Sequence, residues 1–173
     1  MSILYLGLDV HKDSITLAVF GPTGTEPLCL ERLPYDLHKL RRFLERLTRG
    51  GEQIRACYEA SGAGYVLQRE LERWGYACDL IAPSLIPTRP GEQRKHDKRD
   101  AIQLGRLYRA GELVVIRVPS EAEEWVRDLV RCRETFQREI LKSRHYILKF
   151  LRRRGFVYLG QQPLDDAPPG VAP

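Results

Sequence analysis

Four acidic residues occupy positions from which carboxylates could bind divalent metal ions. Asp9 ends an almost continuous apolar segment, and Glu59 ends a shorter one over residues 54–58. Asp97 and Asp100 lie three residues apart where a helix is predicted to begin, so they share one helical face. Two metal ions about 4 Å apart need several converging carboxylates, and Mg²⁺ prefers oxygen ligands. Metal-dependent phosphodiester chemistry is one interpretation of this set.

A structural interpretation of the same acids stays open on spacing alone. Asp97 could be a helix N-cap, and Asp100 could be a first-turn acid favoured by the helix dipole. Asp9 and Glu59 could simply end their strands. We interpret His11 as a surface or hydrogen-bonding histidine, with assistance to a metal at Asp9 as the alternative. We likewise expect Ser61 to be a helix N-cap rather than a nucleophile.

Composition excludes several classes of protein. The 173 residues are 43% hydrophobic and 29% charged, which is typical of a globular chain and argues against wholesale disorder or a fibrous repeat. The four cysteines are scattered without a C-x-x-C motif, which argues against a zinc site or a disulfide framework and suits a reducing cytoplasm. No apolar segment approaches the ~20 residues of a membrane span, and the N-terminus lacks signal-peptide features. We expect a cytoplasmic protein without a membrane partner.

Charge is distributed unevenly along the chain. Residues 1–88 carry 10 Lys+Arg and 11 Asp+Glu, whereas residues 89–154 carry 18 and 10. A basic second half predicts a polyanionic partner, with a solvated helical surface as the plainer alternative.

The pattern of the first 118 residues predicts an α/β domain with a mixed sheet, and this sheet would position the acids. Strands are expected over residues 3–9, 14–20, 28–33, 54–58 and 76–81, and the first three would form an antiparallel meander. Helices are expected from Leu37 to about Gly50, from Gly64 to Gly75, and from Asp97 to Ala110. If the strands that end at Asp9 and Glu59 are parallel neighbours, both carboxylates emerge at one sheet edge.

A long basic helix is predicted after this domain. Ser120 and Glu123 form a capping box, and apolar residues from Trp125 to Phe150 recur at nearly the spacing of a coiled-coil seam. We therefore divide the chain into residues 1–118, a helix over 119–155 and a Pro-rich tail, 156–173, that is expected to be disordered.

Four segments carry a resemblance to a known family. GLDVHKDS, YEASGAGY, IAPSLIPTRPGEQRKHDKRDA and RAGELVVIRVPSEAEEWVRDLVRCRE resemble, in order, signature blocks of the DEDD-type transposases of bacterial insertion sequences, the IS110 family. The similarity extends from about Ile3 to Gly155. It implies a ribonuclease-H-like (RuvC-like) domain followed by a coiled-coil helix.

The resemblance also implies a site and partners. Asp9, Glu59, Asp97 and Asp100 match the family's acidic tetrad and would bind Mg²⁺ or Mn²⁺ as catalytic residues. The implied partners are DNA, a structured guide RNA and a second copy of the chain through the long helix, in a bacterial, nucleoid-associated setting. Two basic clusters are the expected nucleic-acid contacts: Arg94, Lys95, Lys98 and Arg99, and then Arg152, Arg153 and Arg154.

The chain departs from the family pattern in two places. His96 stands where the family commonly has threonine, and the 173 residues do not include the family's second domain with its nucleophilic serine. We therefore expect a truncated transposase or recombinase that does not complete strand exchange alone. The alternatives are a non-catalytic nucleic-acid-binding remnant or regulator and, last, an actin- or sugar-kinase-like ATPase. The ATPases need glycine soon after the first aspartate, where this chain has His11 and Lys12.

Overall fold

A computed structural model describes residues 2–62, 64–87 and 97–158. The chain divides into two compact units, one that ends at Val118 and one that begins at Pro119. The first unit contains a sheet with helices on both faces, and the second contains a long helix.

The sheet of the first unit has six strands. They are β1 (Ile3–Val10), β2 (Ser14–Phe20), β3 (Cys29–Pro34), β4 (Gln53–Glu59), β5 (Ala77–Ile81) and β6 (Val115–Ile116). Their order across the sheet is β3-β2-β1-β4-β5-β6. The expected mixed sheet is confirmed, with the first three strands antiparallel and β1, β4 and β5 parallel. The sequence predicted one antiparallel edge, whereas β6 adds a second by pairing antiparallel to β5.

Helices cover both faces of this sheet. On one face, α1 (Leu37–Leu47) and α2 (Val66–Arg73) bury leucines against residues of β1, β2 and β4. On the other face, α3 (Asp97–Ala110) packs on the middle strands. Every residue of β2 is buried, because helices cover both faces of the sheet at this strand; all but Ser14 and Thr16 are apolar. This arrangement is a ribonuclease-H-like α/β fold.

The cap of α1 follows directly from its sequence. The side chain of Asp36 accepts hydrogen bonds from the backbone N–H groups of His38 and Lys39. These two donors have no partner inside the helix, so the carboxylate satisfies them and defines where α1 begins.

The second unit consists mainly of α4 (Glu121–Arg153), a helix of 33 residues. Ser120 and Glu123 form the expected capping box, in which each side chain bonds the backbone N–H of the other. No residue of α4 is buried.

The tail that we predict to be disordered spans residues 156–173. Of these, residues 159–173 lie outside the described residues. Among the described residues, no helix combines the length and the apolar composition that crossing a membrane requires.

Candidate metal centre

Strand pairing brings Asp9 and Glu59 to one edge of the sheet. β1 and β4 are parallel, and Leu8 pairs with Tyr58 at the end of their register. Asp9 and Glu59 each follow this pair by one residue, so both emerge at the same carboxyl edge, as predicted. The Asp9 side chain is 16% exposed, whereas Glu59 is exposed.

A contact between two glycines allows α3 to approach this edge closely. A Cβ atom built on Gly7 would lie 2.2 Å from the backbone nitrogen of Gly105 and 2.3 Å from the carbonyl oxygen of Ala101. Any side chain at Gly7 would therefore push α3 away from β1. Because α3 begins at Asp97, this close packing brings the first turn of the helix to the end of β1.

Asp9, His11 and Asp97 form a compact group. One potential ligand atom from each lies within 4.8 Å of the others. His11 Nε2 is 3.0 Å from Asp9 Oδ2 and 3.5 Å from Asp97 Oδ1, so the imidazole bridges the two carboxylates. His11 is therefore a hydrogen-bonding histidine, as interpreted from the sequence. Its position also allows Nε2 to serve as a metal ligand.

Arg32 contacts the outer oxygen of Asp97. Its Nη2 atom lies 3.4 Å from Asp97 Oδ2 and donates a hydrogen bond of 3.1 Å to Ser14 Oγ. Sequence reasoning missed Arg32 because it lies on β3, far from the acids along the chain. The signal that could have revealed it is cross-strand register: Asp9 pairs with Thr16, and Thr16 pairs with Arg32, so the three lie in one row.

Thr16 contributes a buried polar group to the same row. It is fully buried, and its hydroxyl has no hydrogen-bond partner among the described residues. Burying a hydroxyl without a partner costs free energy, so Thr16 adds an unsatisfied polar group to the row that contains Asp9.

Burial and neighbouring charge act on Asp9. Burial raises the pKa of Asp9 above its ordinary value of 3.8, the hydrogen bond and charge of His11 lower it, and the carboxylates of Asp100 and Asp97 raise it again. Asp100 shares the first turn of α3 with Asp97 and adds its negative charge there, although it is not one of the three residues whose ligand atoms lie within 4.8 Å of one another. Crowded carboxylates of this kind are relieved when a cation binds.

A pocket of about 440 Å³ opens at the same edge. It is lined by residues of β1, β4 and the loops that follow them, namely Asp9, Val10, His11, Lys12, Tyr35, Glu59, Ser61 and Gly62. Glu59 therefore shares the pocket with Asp9 but stands apart from the three-residue group. Lys12 and Tyr35 are pocket residues that sequence reasoning did not identify.

The predicted basic residues fall in different parts of the chain. Lys98 and Arg99 are exposed in the first turn of α3, next to Asp97. Arg152 and Arg153 end α4, and Arg154 is its C-cap residue with the guanidinium 5.3 Å from the centre of the Phe150 ring. Arg94 and Lys95 lie outside the described residues.

Comparison with known proteins identifies the family. A family model described as a transposase, of the DEDD type named after IS110, matches residues 6–154. The chain belongs to the DEDD transposases of the IS110 family. The resemblance seen in the four sequence segments is thereby confirmed.

Two relatives in this transposase family match most of the chain. It is 38% identical over 160 residues to y4qE of Sinorhizobium fredii (strain NBRC 101917 / NGR234), a protein named as a transposase. It is 35% identical over 152 residues to the transposase for insertion sequence element IS1533 of Leptospira borgpetersenii. These matches cover 91% and 87% of this chain but 41% and 44% of the relatives, so the chain spans less than half the length of either.

Membership of the DEDD transposase family suggests the use of a divalent metal ion, and the residues at the site fit such an ion. Two carboxylates converge there, a third lines the pocket, and a fourth lies close enough to act on Asp9. Oxygen donors suit Mg²⁺ and Mn²⁺, and the imidazole of His11 adds one nitrogen donor to the group.

Proposed function

We propose that this chain is the metal-binding, catalytic-type domain of an RNA-guided DNA transposase or recombinase. The observation that carries the proposal is the convergence of Asp9, His11 and Asp97 within 4.8 Å at the carboxyl edge of a ribonuclease-H-like sheet. Family membership supplies the reaction class, DNA transposition. A cytoplasmic, nucleoid-associated location follows from that role.

In this proposal Asp9, Glu59, Asp97 and Asp100 hold one or two divalent ions. A bound ion would act as a Lewis acid on a phosphodiester and would lower the pKa of a bound water. The carboxylates of this chain provide the negative charge that attracts the ion, and the crowding around Asp9 makes that binding favourable. His11 holds Asp9 and Asp97 in mutual reach through its Nε2 atom.

Nucleic acid is the proposed partner of the basic second half. Exposed Lys98 and Arg99 adjoin the metal site, and Arg152, Arg153 and Arg154 form an exposed cluster at the end of α4. Cations in exposed positions bind phosphates without reading sequence. Recognition of target DNA is therefore assigned to a structured guide RNA, as the family resemblance implies.

A second copy of the chain is the proposed partner of α4. Trp125, Leu129 and Phe136 are between 66% and 78% exposed, and Leu129, Phe136 and Phe150 recur at multiples of seven residues. A seven-residue apolar repeat is the pattern of helices that pair in a coiled coil. We therefore assign homo-oligomer formation to this face.

Strand exchange is proposed to need more than these 173 residues. A nucleophile conserves the energy of the broken bond while strands are exchanged, and the family resemblance assigns that role to a serine in a further domain. We expect this chain alone to bind metal and nucleic acid without yielding a joined donor–target product.

Thermal melting with and without Mn²⁺ tests the metal site. Saturating Mn²⁺ should raise the melting temperature, because an ion that binds only the folded state stabilises it. The double variant Asp9→Asn/Asp97→Asn should lose this rise, whereas Glu45→Gln, which removes an exposed ion pair with Arg41, should keep it. A melting temperature that ignores Mn²⁺ in the wild-type chain would instead favour a non-catalytic nucleic-acid-binding remnant.

A further inference from the structure

Lys12 stands at the rim of the metal pocket in an unusual electrostatic setting. It lies in the turn that joins β1 to β2, it is exposed, and it lines the same pocket as Asp9 and Glu59. Among the described residues, no carboxylate lies within 4.0 Å of its ammonium group. A lysine next to several carboxylates thus remains unpaired with them.

Backbone hydrogen bonds on both sides hold the turn that carries Lys12. The N–H of His11 donates to the carbonyl of Ser14 at 2.8 Å, which closes the hairpin. The N–H of Tyr35 donates to the carbonyl of Asp13 at 3.0 Å, which fastens the tip of the hairpin to the segment after β3. The Cα atom of Lys12 therefore has a defined position beside the pocket, although its side chain is free to extend.

The charges around the pocket indicate what this side chain would meet. Once a cation neutralises Asp9 and Asp97, Lys12 is left as an additional positive charge at the mouth of the pocket. Lysine binds phosphate as a compact point charge. The volume of about 440 Å³ is larger than a hydrated ion requires and leaves space for part of a nucleotide.

We propose that Lys12 contacts a phosphodiester of the nucleic-acid strand that enters the metal pocket. This inference rests on the proposed function of the acidic group and adds to it the residue that would hold the substrate backbone. Lys12 acts on the phosphate and not on the metal, so metal binding and strand binding respond differently to its removal.

Salt-dependent binding of a short single-stranded DNA oligonucleotide, followed by fluorescence anisotropy in Ca²⁺, tests the assignment. Lys12→Gln should weaken binding about three- to tenfold and should reduce the magnitude of the log–log salt slope by about 0.7, the value for one phosphate on a single strand. Lys12→Arg should retain the slope because it retains the charge. Lys39→Gln, which removes an exposed lysine of α1, is the matched control and should leave the slope unchanged.

Melting in Mn²⁺ separates this inference from the proposed function. Lys12→Gln should keep the rise in melting temperature that Mn²⁺ causes in the wild-type chain. An unchanged salt slope in Lys12→Gln, or a loss of its Mn²⁺ response, would overturn the assignment of Lys12 to phosphate. A wild-type chain whose melting temperature does not respond to Mn²⁺ would contradict the metal site itself. The melting experiment gives that result, whereas the anisotropy experiment tests Lys12.

Discussion

Gly7 of β1 and Gly105 of α3 face each other so closely that neither position has space for a methyl group. The Cβ that alanine would add at Gly7 would be 2.2 Å from the Gly105 nitrogen, and one on Gly105 would be 2.7 Å from Phe20 Cε2. This contact sets the distance between the sheet and the helix that carries Asp97 and Asp100. The geometry of the acidic group therefore depends on two residues that have no side chains.

Gly7→Ala should both destabilise the fold and weaken the metal response. The new methyl group would meet backbone atoms, which cannot rotate away, so we expect a loss of about 1–3 kcal/mol in the free energy of unfolding. Urea denaturation measures that loss, and Mn²⁺-dependent melting measures the site. Gly62→Ala is the matched control for stability, because no atom of the described residues lies within 4 Å of its added Cβ, and it should change stability by less than about 0.5 kcal/mol. Equal stability of Gly7→Ala and the wild-type chain would refute the close-packing argument.

Asp9→Asn should stabilise the metal-free chain at neutral pH. Burial and the charges of Asp100 and Asp97 raise the pKa of Asp9 in the folded state above 3.8, so the folded chain holds this proton more tightly than the unfolded chain. The contribution of Asp9 to stability therefore falls as pH rises above about 3.8. In EDTA we expect the variant to melt ~1–3 °C above the wild-type chain at pH 7 and the difference to disappear towards pH 4. A wild-type chain that is the more stable of the two at pH 7 would contradict this sign.

Neutralising the basic clusters should reduce nucleic-acid affinity and its salt dependence together. For duplex DNA each lost phosphate contact should lower the magnitude of the log–log salt slope by about 0.9. The variants are Lys98→Gln/Arg99→Gln and the triple change of Arg152, Arg153 and Arg154 to Gln. Arg41→Gln/Arg42→Gln removes exposed charges from α1 and should have little effect. If all three variants shift the slope equally, net charge alone explains the binding.

Charged substitutions on the apolar face of α4 should abolish self-association. Burying Leu129 and Phe136 between two helices would contribute roughly 1.5–3 kcal/mol for each side chain, and that contribution is lost when aspartate replaces them. Sedimentation velocity should show concentration-dependent dimers for the wild-type chain and monomers for Leu129→Asp/Phe136→Asp. Gln137→Asp places one negative charge elsewhere on the helix without removing an apolar side chain and should remain dimeric. A strictly monomeric wild-type chain at high micromolar concentration would refute the assignment.

Much of the fold could be predicted from periodicity and from the residues that punctuate it. Alternation, apolar runs and glycine-rich turns define β1 to β5 and the first three helices, and the capping box defines the beginning of α4. β6 escaped prediction because two residues carry no detectable period. Its pairing with β5 depends on tertiary contacts instead.

The candidate metal site could be predicted only in part from the sequence. Asp9 and Glu59 could be placed at one edge because parallel strands end together, but the sequence contains no distances between their side chains. The bridging position of His11 and the contact of Arg32 with Asp97 depend on the hairpin turn and on cross-strand register. The position of His11 belongs to tertiary structure, whereas Arg32 could have been found only by working out the register of the first three strands.

The two outer strands of the sheet bear on how copies of this chain can meet. An outer strand presents free backbone N–H and C=O groups, and long apolar outer strands promote aggregation by pairing between molecules. β3 instead carries Glu31 and Arg32 and ends in Pro34, which has no N–H to donate, and β6 is only two residues long. Such edges disfavour continuation of the sheet from one molecule into the next. Any association between copies would then depend on side-chain packing, for which α4 carries exposed apolar residues, and not on pairing between the edges of two sheets.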